Sequence, residues 1–196
     1  KPHIGTDILA NVVKNIRGAI ISMGGEVRFH TKVTGIRTKR STDFPEEPRL
    51  AMLHIEDTRT KTGEELPADV AVLAIGHSAR DTFQLLNLLE LHMEPKPFAV
   101  GVRIEHSQKM IDESQYGKNA PDCLPAAAYK LTAKTDEGRG VYTFCMCPGG
   151  YVVNASSEAG RLAVNGMSYS GRDGKNANSA VIVTVSPEDF PEKGIL

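Results

Sequence analysis

The stretch "AIGHSARD", residues 74–81, is the first place where residue types and spacing could do chemistry. An apolar run from Val70 to Ile75 stops at Gly76-His77-Ser78, and a helical pattern begins at once. Glycine at such a turn lets backbone come close to a ligand, and the amides of a helix N-terminus can face an anion. Ordinary strand-to-helix turns have the same form, so a cofactor contact and plain architecture both stay open. In "CMCPGG", residues 145–150, two cysteines stand one residue apart on an expected strand and so face the same way. They could form a redox pair, bind a soft metal, or pack. No second Cys or His pair stands at ligand spacing, so packing is the default and no metal site is expected. Pro148-Gly149-Gly150 is either a tight turn that lets backbone approach something or an ordinary hairpin turn. The polar, glycine-rich "GRDGKNANS", residues 171–179, is either a surface loop or a loop that reaches a substrate. Among the six histidines, His30 and His54 fall on polar strand faces, and His77 alone adjoins the candidate turn. There is no GxSxG, Ser-x-x-Lys, P-loop or GxGxxG, so no catalytic residue is assigned.

The elements that must position these residues follow from periodicity. In "GTDILANVVKNIRGAIISMGG", Leu9, Val12, Val13, Ile16, Ile20 and Met23 recur at helical spacing. Thr6 can cap this helix, Asp7 suits its first turn, and Gly24-Gly25 supplies a left-handed stop. "EVRFHTKV" alternates like a strand, "TKRSTDFPEEPR" is a polar loop, "LAMLHIED" a strand and "TRTKTGEE" a turn. "DVAVLAIG" is apolar on both faces, as a strand buried between two layers would be. Ser78 to Asp81 fits a capping box for a second helix, with Phe83, Leu86, Leu89 and Met93 on its apolar face and "EPKP" as its breaker. From Phe98 onward, short apolar runs alternate with Gly, Pro, Asn and Ser: "FAVGVRIEH", "AAAYKLTA", "GVYTFCMC", "GYVVNAS", "RLAVNGM" and "SAVIVTVS". That reads as an antiparallel β-rich unit. The expected class is α/β, α+β overall, divided into residues 1–95 and 96–196.

Composition narrows the function classes. With 23 basic and 24 acidic side chains the net charge is −1, which gives no field for nucleic acid or an anionic membrane. No apolar run approaches the roughly 20 residues of a membrane span. Three cysteines do not make a disulfide framework, and a reducing cytoplasm is expected. The chain opens on Lys1 and closes after a loop-like "SPEDFPEKG", so a piece of a longer protein is expected.

Six segments together carry a resemblance. "KPHIGTD", "GGEVRFHTKVTGI", "ADVAVLAIGHSARDTF", "EPKPFAVGVRIEH", "FCMCPGGYVVNASSE" and "NGMSYSGRDGKNANSAV" resemble an uncharacterised family of FAD-dependent dehydrogenases within the glutathione-reductase-like flavoproteins. The resemblance implies that residues 1–95 are the later portion of an FAD/NAD(P)-binding domain with an inserted β-hairpin, and that the rest is a β-rich substrate-side domain. Such proteins open with a Rossmann unit whose GxGxxG holds the FAD pyrophosphate, and that unit is absent from these residues. The resemblance places backbone near Val33 at the adenine end of FAD. It places Ala74, Ile75, Gly76 and His77 at a turn that approaches the dinucleotide, with Ile75 where Thr is common and Gly76 small because a Cβ would crowd the cofactor. The chemistry would be hydride transfer at the flavin, with NAD(P) as a possible further cofactor and a small molecule as substrate. These residues alone are expected to retain no FAD, to be inactive and to self-associate through uncovered strands. The alternative is a non-catalytic binding or assembly module derived from a nucleotide-binding flavoprotein.

Overall fold

The computed structural model describes residues 4–40 and 47–190. Within them helices and antiparallel sheets mix, and strands dominate. The chain divides into two compact units: Ile20–Glu94, and the residues up to Ala19 together with those from Pro95 onward.

Helix α1 (Thr6–Ser22) has the three- and four-residue apolar spacing that its sequence shows. It ends as expected at glycine. Gly24 takes φ +86°, while the amides of Gly25 and Gly24 donate to the carbonyls of Ile20 (2.9 Å) and Ile21 (3.0 Å). Asp7 accepts from the Ser170 amide (2.9 Å) and the Ser170 hydroxyl (2.6 Å), which holds its carboxyl below the usual range. The apolar face is uncovered: no residue of α1 is buried, and Val13 is 59% exposed.

In the Ile20–Glu94 unit, β1 (Thr31–Arg40), β2 (Pro48–Asp57) and β3 (Gly63–Pro67) form an antiparallel sheet in chain order. Strand β1 begins later than the alternation of "EVRFHTKV" indicates. His30 sits at φ +54° and its carbonyl accepts from the Thr58 amide at 2.7 Å, so the residues before Thr31 stay off the ladder. The expected polar loop is ladder at both ends, with Thr38 facing Leu50 and Arg40 facing Pro48; residues 41–46 lie outside the described residues. The β2–β3 turn closes on Asp57, whose carboxylate accepts from the amides of Arg59 (2.8 Å) and Thr60 (3.1 Å). Ile55 is the buried apolar centre of this sheet.

Two expectations fail nearby. "DVAVLAIG" forms no strand: it pairs with no other segment among the described residues, and Val70 and Val72 are 82% and 87% exposed. An apolar pattern on both faces encodes readiness to be sandwiched, but a strand exists only where a neighbour supplies the other half of its hydrogen bonds. The capping box is also absent. Helix α2 (Arg80–Leu88) starts behind Ala79 with no side-chain cap. The Ser78 hydroxyl pairs with His77 Nδ1 at 2.8 Å, and the Asp81 carboxylate pairs with Lys32. Leu86 is buried as its face predicts, but the helix ends before Met93 because Glu90 turns left-handed at φ +56°.

In the other unit, β4 (Phe98–Ser107), β5 (Thr132–Lys134), β6 (Gly140–Cys147) and β9 (Asn176–Val185) form an antiparallel sheet in the order β4-β9-β6-β5. Strands β7 (Gly150–Asn154) and β8 (Val164–Ser168) form a two-stranded ribbon. Of "AAAYKLTA", only the last two residues join a strand. Helix α3 (Gln108–Tyr116) follows β4 directly and is not foreshadowed by the β-rich reading.

Candidate functional site

The five residues singled out for the cofactor all lie in the Ile20–Glu94 unit. Val33 is half-buried on β1, beside an irregularity in the β1–β2 register that falls between Val33 and Gly35. Ala74, Ile75, Gly76 and His77 are exposed on the unpaired stretch that leads into α2. The Lys32–Asp81 ion pair ties the strand that carries Val33 to the first turn of that helix. It lowers the Asp81 carboxyl and raises the Lys32 ammonium.

Gly76 is glycine for a conformational reason. Its φ is +71°, a backbone that side chains strain, and a Cβ there would meet nothing within 4 Å. The turn is therefore left-handed with free space in front of it. The helix start is less open to an anion than its sequence suggests. The Arg80 amide donates to the Ser78 carbonyl (2.9 Å) and the Thr82 amide to the Asp81 carboxylate (2.9 Å). What remains for a ligand is backbone of the 74–77 stretch, which no strand engages.

The glycine-rich motifs of the other unit fit each other. A Cβ at Gly149 (φ +57°) would fall on the Arg172 carbonyl, and one at Gly174 would fall on the Gly149 carbonyl. Pro148-Gly149-Gly150 therefore approaches the "GRDG" loop, the close neighbour that its composition left unnamed. Gln108 locks the junction. Its side-chain oxygen accepts from the Gly149 amide (2.9 Å), and its nitrogen donates to Asp112 (2.8 Å) and to the Ala127 carbonyl (3.0 Å).

Beneath these loops lies a polar cluster that sequence reasoning missed. Asn178 and Ser179 have no solvent exposure. Arg103 on β4 donates to the Asn178 side-chain oxygen and to the Cys145 carbonyl (3.3 Å). Gly166 has no side chain because a Cβ would strike that same guanidinium. Glu105 accepts from the Val152 amide (2.6 Å) and from Asn176 (2.6 Å), and those bonds hold its carboxyl below the usual range. The "NANS" run reads as loop because it is polar; its tight glycine neighbours were the only signal of burial.

The cysteines are not a same-facing pair on a regular strand. Cys145 sits at φ +47° where the β6–β9 register slips between Phe144 and Cys147, and the Cys147 thiol donates to the Cys145 carbonyl at 3.3 Å. This bulge removes the regular alternation on which the shared face rests. All three cysteines are free thiols.

With this geometry in view, similarity to known proteins becomes informative. A family model described as "FAD-dependent protein, C-terminal domain-like" matches residues 97–196. The chain belongs to this family. The matched residues include this chain's β4-β9-β6-β5 sheet, its glycine-rich loops, and Arg103 with Asn178. An uncharacterized protein of Clostridium beijerinckii is 50% identical over 192 residues, which cover 97% of this chain and 34% of that relative. The chain thus spans about a third of the length of that relative. No helix among the described residues is long and apolar enough to cross a membrane.

Proposed function

We propose that the chain is part of a flavin-dependent oxidoreductase of the glutathione-reductase-like superfamily, a cytoplasmic dehydrogenase acting on a small molecule. The family match over residues 97–196 carries this reading. The 74–77 turn fits the group: left-handed at Gly76, exposed, free of strand pairing, and with open space where a Cβ would stand. Backbone of Val33, Ala74, Ile75, Gly76 and His77 would hold the dinucleotide. FAD, when bound, supplies hydride transfer, with NAD(P) as a candidate partner of that transfer.

The chain's own residues have supporting roles. Lys32 and Asp81 fix the helix behind the turn. Ser78 orients the His77 ring through its hydroxyl. These residues alone, without the rest of the protein, are expected to hold no FAD.

The test is the absorbance spectrum of the purified full-length protein, followed by release and chromatography of the cofactor. The reading expects flavin bands and about one FAD per chain. A colourless, folded full-length protein that takes up no added FAD would favour a non-catalytic module instead.

A further inference from the structure

We propose that Asn165-Gly166 on β8 is a self-modifying site, at which the Gly166 amide nitrogen closes on the Asn165 side chain and converts it to isoaspartate and aspartate in the folded protein. Asn165 is the only asparagine in the chain that a glycine follows. Glycine has no Cβ to shield its amide nitrogen. Asn165 is exposed, so water reaches its side chain. The Gly166 amide donates to the Asn165 side-chain oxygen at 2.9 Å, which sets the attacking nitrogen beside the carbonyl group it attacks. Groups poised to react stand about 3–3.5 Å apart, so the remaining approach is short.

The ladder leaves this amide to the side chain. In an antiparallel ribbon, facing residues alternate between exchanging their hydrogen bonds and exchanging none. The Ala155 amide donates to the Ala163 carbonyl at 2.9 Å, and that phase makes Val153–Asn165 a bonded pair and Val152–Gly166 an unbonded one. The Val152 amide accordingly donates to Glu105, not across the ribbon. The step balances with water as its one co-reactant. The Gly166 nitrogen loses its proton and bonds to Cγ of Asn165, Nδ2 leaves as ammonia, and a cyclic imide remains. Water opens the imide at one carbonyl or the other, which gives aspartate or isoaspartate. Isoaspartate puts an extra backbone methylene ahead of Gly166, the residue whose missing Cβ makes room for the Arg103 guanidinium. The product strand therefore loses its fit to Arg103.

This inference does not rest on the flavin. The experiment ages the folded full-length protein, and beside it the free peptide of residues 162–172, at neutral and at mildly alkaline pH. Peptide mass maps the conversion of each asparagine, and enzymatic methylation reads isoaspartate. Asn165 should convert at no less than about a tenth of the free peptide's rate, because a nucleophile misplaced by about 1 Å would cost about 100-fold. Conversion should be faster at the higher pH, where the amide loses its proton more readily, and should yield isoaspartate. Asn165→Gln should remove that isoaspartate, since the longer side chain does not close the same ring. The aged protein should melt below the fresh one, while Asn165→Asp, with the same charge on a normal backbone, should melt with the fresh one. An Asn165 that stays intact in the folded protein while the peptide converts overturns the proposal. So does conversion without isoaspartate, isoaspartate that persists in Asn165→Gln, or an aged protein that melts with the fresh one.

Discussion

Arg103 donates to the side-chain oxygen of Asn178 across β4 and β9, and Asn178 is wholly buried. The half-buried guanidinium needs its acceptors, because a partly desolvated donor left without a partner costs more than the bond contributes. Asn178→Ala removes the acceptor and leaves a cavity, and should destabilise the protein by about 2–4 kcal/mol. Asn87→Ala, on the exposed side of α2, should stay within about 0.5 kcal/mol. Chemical unfolding of the two variants checks the contrast; equal midpoints would show that the buried pair is not a structural anchor.

Gly149 and Gly117 both have positive φ, at +57° and +84°, but only Gly149 faces backbone. Alanine at Gly117 meets open space and should cost about 1 kcal/mol of backbone strain. Alanine at Gly149 must in addition push the Arg172 carbonyl away, so its loss should exceed that of Gly117→Ala by at least about 2 kcal/mol. Thermal melting of both variants decides this, and matched melting points would mean that the two loops are not truly interlocked.

What the sequence disclosed and what it hid divide along a physical line. Helix α1 and strands β2, β4, β6, β7 and β9 were legible because their period is written in their own residues. The stretch 69–76 was misread because being a strand depends on a neighbour, which residue type alone does not report. Helix α3 was hidden because "QKMIDESQY" has too few apolar positions to show a period and no break separates it from β4. In the candidate site, the left-handed Gly76 could be anticipated from the turn's composition. The burial of Asn178 and the reach of Arg103 could not, since their partners lie far apart in the chain.

Arg139 grips Asp189 with two hydrogen bonds, at 2.6 and 2.9 Å. That pairing, together with the Ser186 amide, holds the Asp189 carboxyl far below its usual value. A carboxyl whose pKa is lowered on folding stabilises the fold above its unfolded pKa of about 3.9 and loses that contribution as pH falls further. Arg139→Met should therefore lower the melting temperature at pH 7, and its gap from wild type should close progressively below about pH 4. Melting curves across that range test it; a gap that is constant with pH would mean that the pair contributes nothing through ionisation.

If backbone of the 74–77 turn meets the flavin, Gly76→Asn in the full-length protein puts a side chain between them. Asparagine tolerates positive φ better than other side chains, so the turn can persist. A Cβ at Gly76 meets nothing within 4 Å in this chain, so crowding of that atom by these residues does not account for a loss of cofactor. The measurement is FAD per folded protein, with circular dichroism and melting temperature to confirm the fold. The expected result is a folded Gly76→Asn variant with most of its flavin lost, and His77→Ala retaining nearly all of it. A folded Gly76→Asn protein with full flavin occupancy would contradict it.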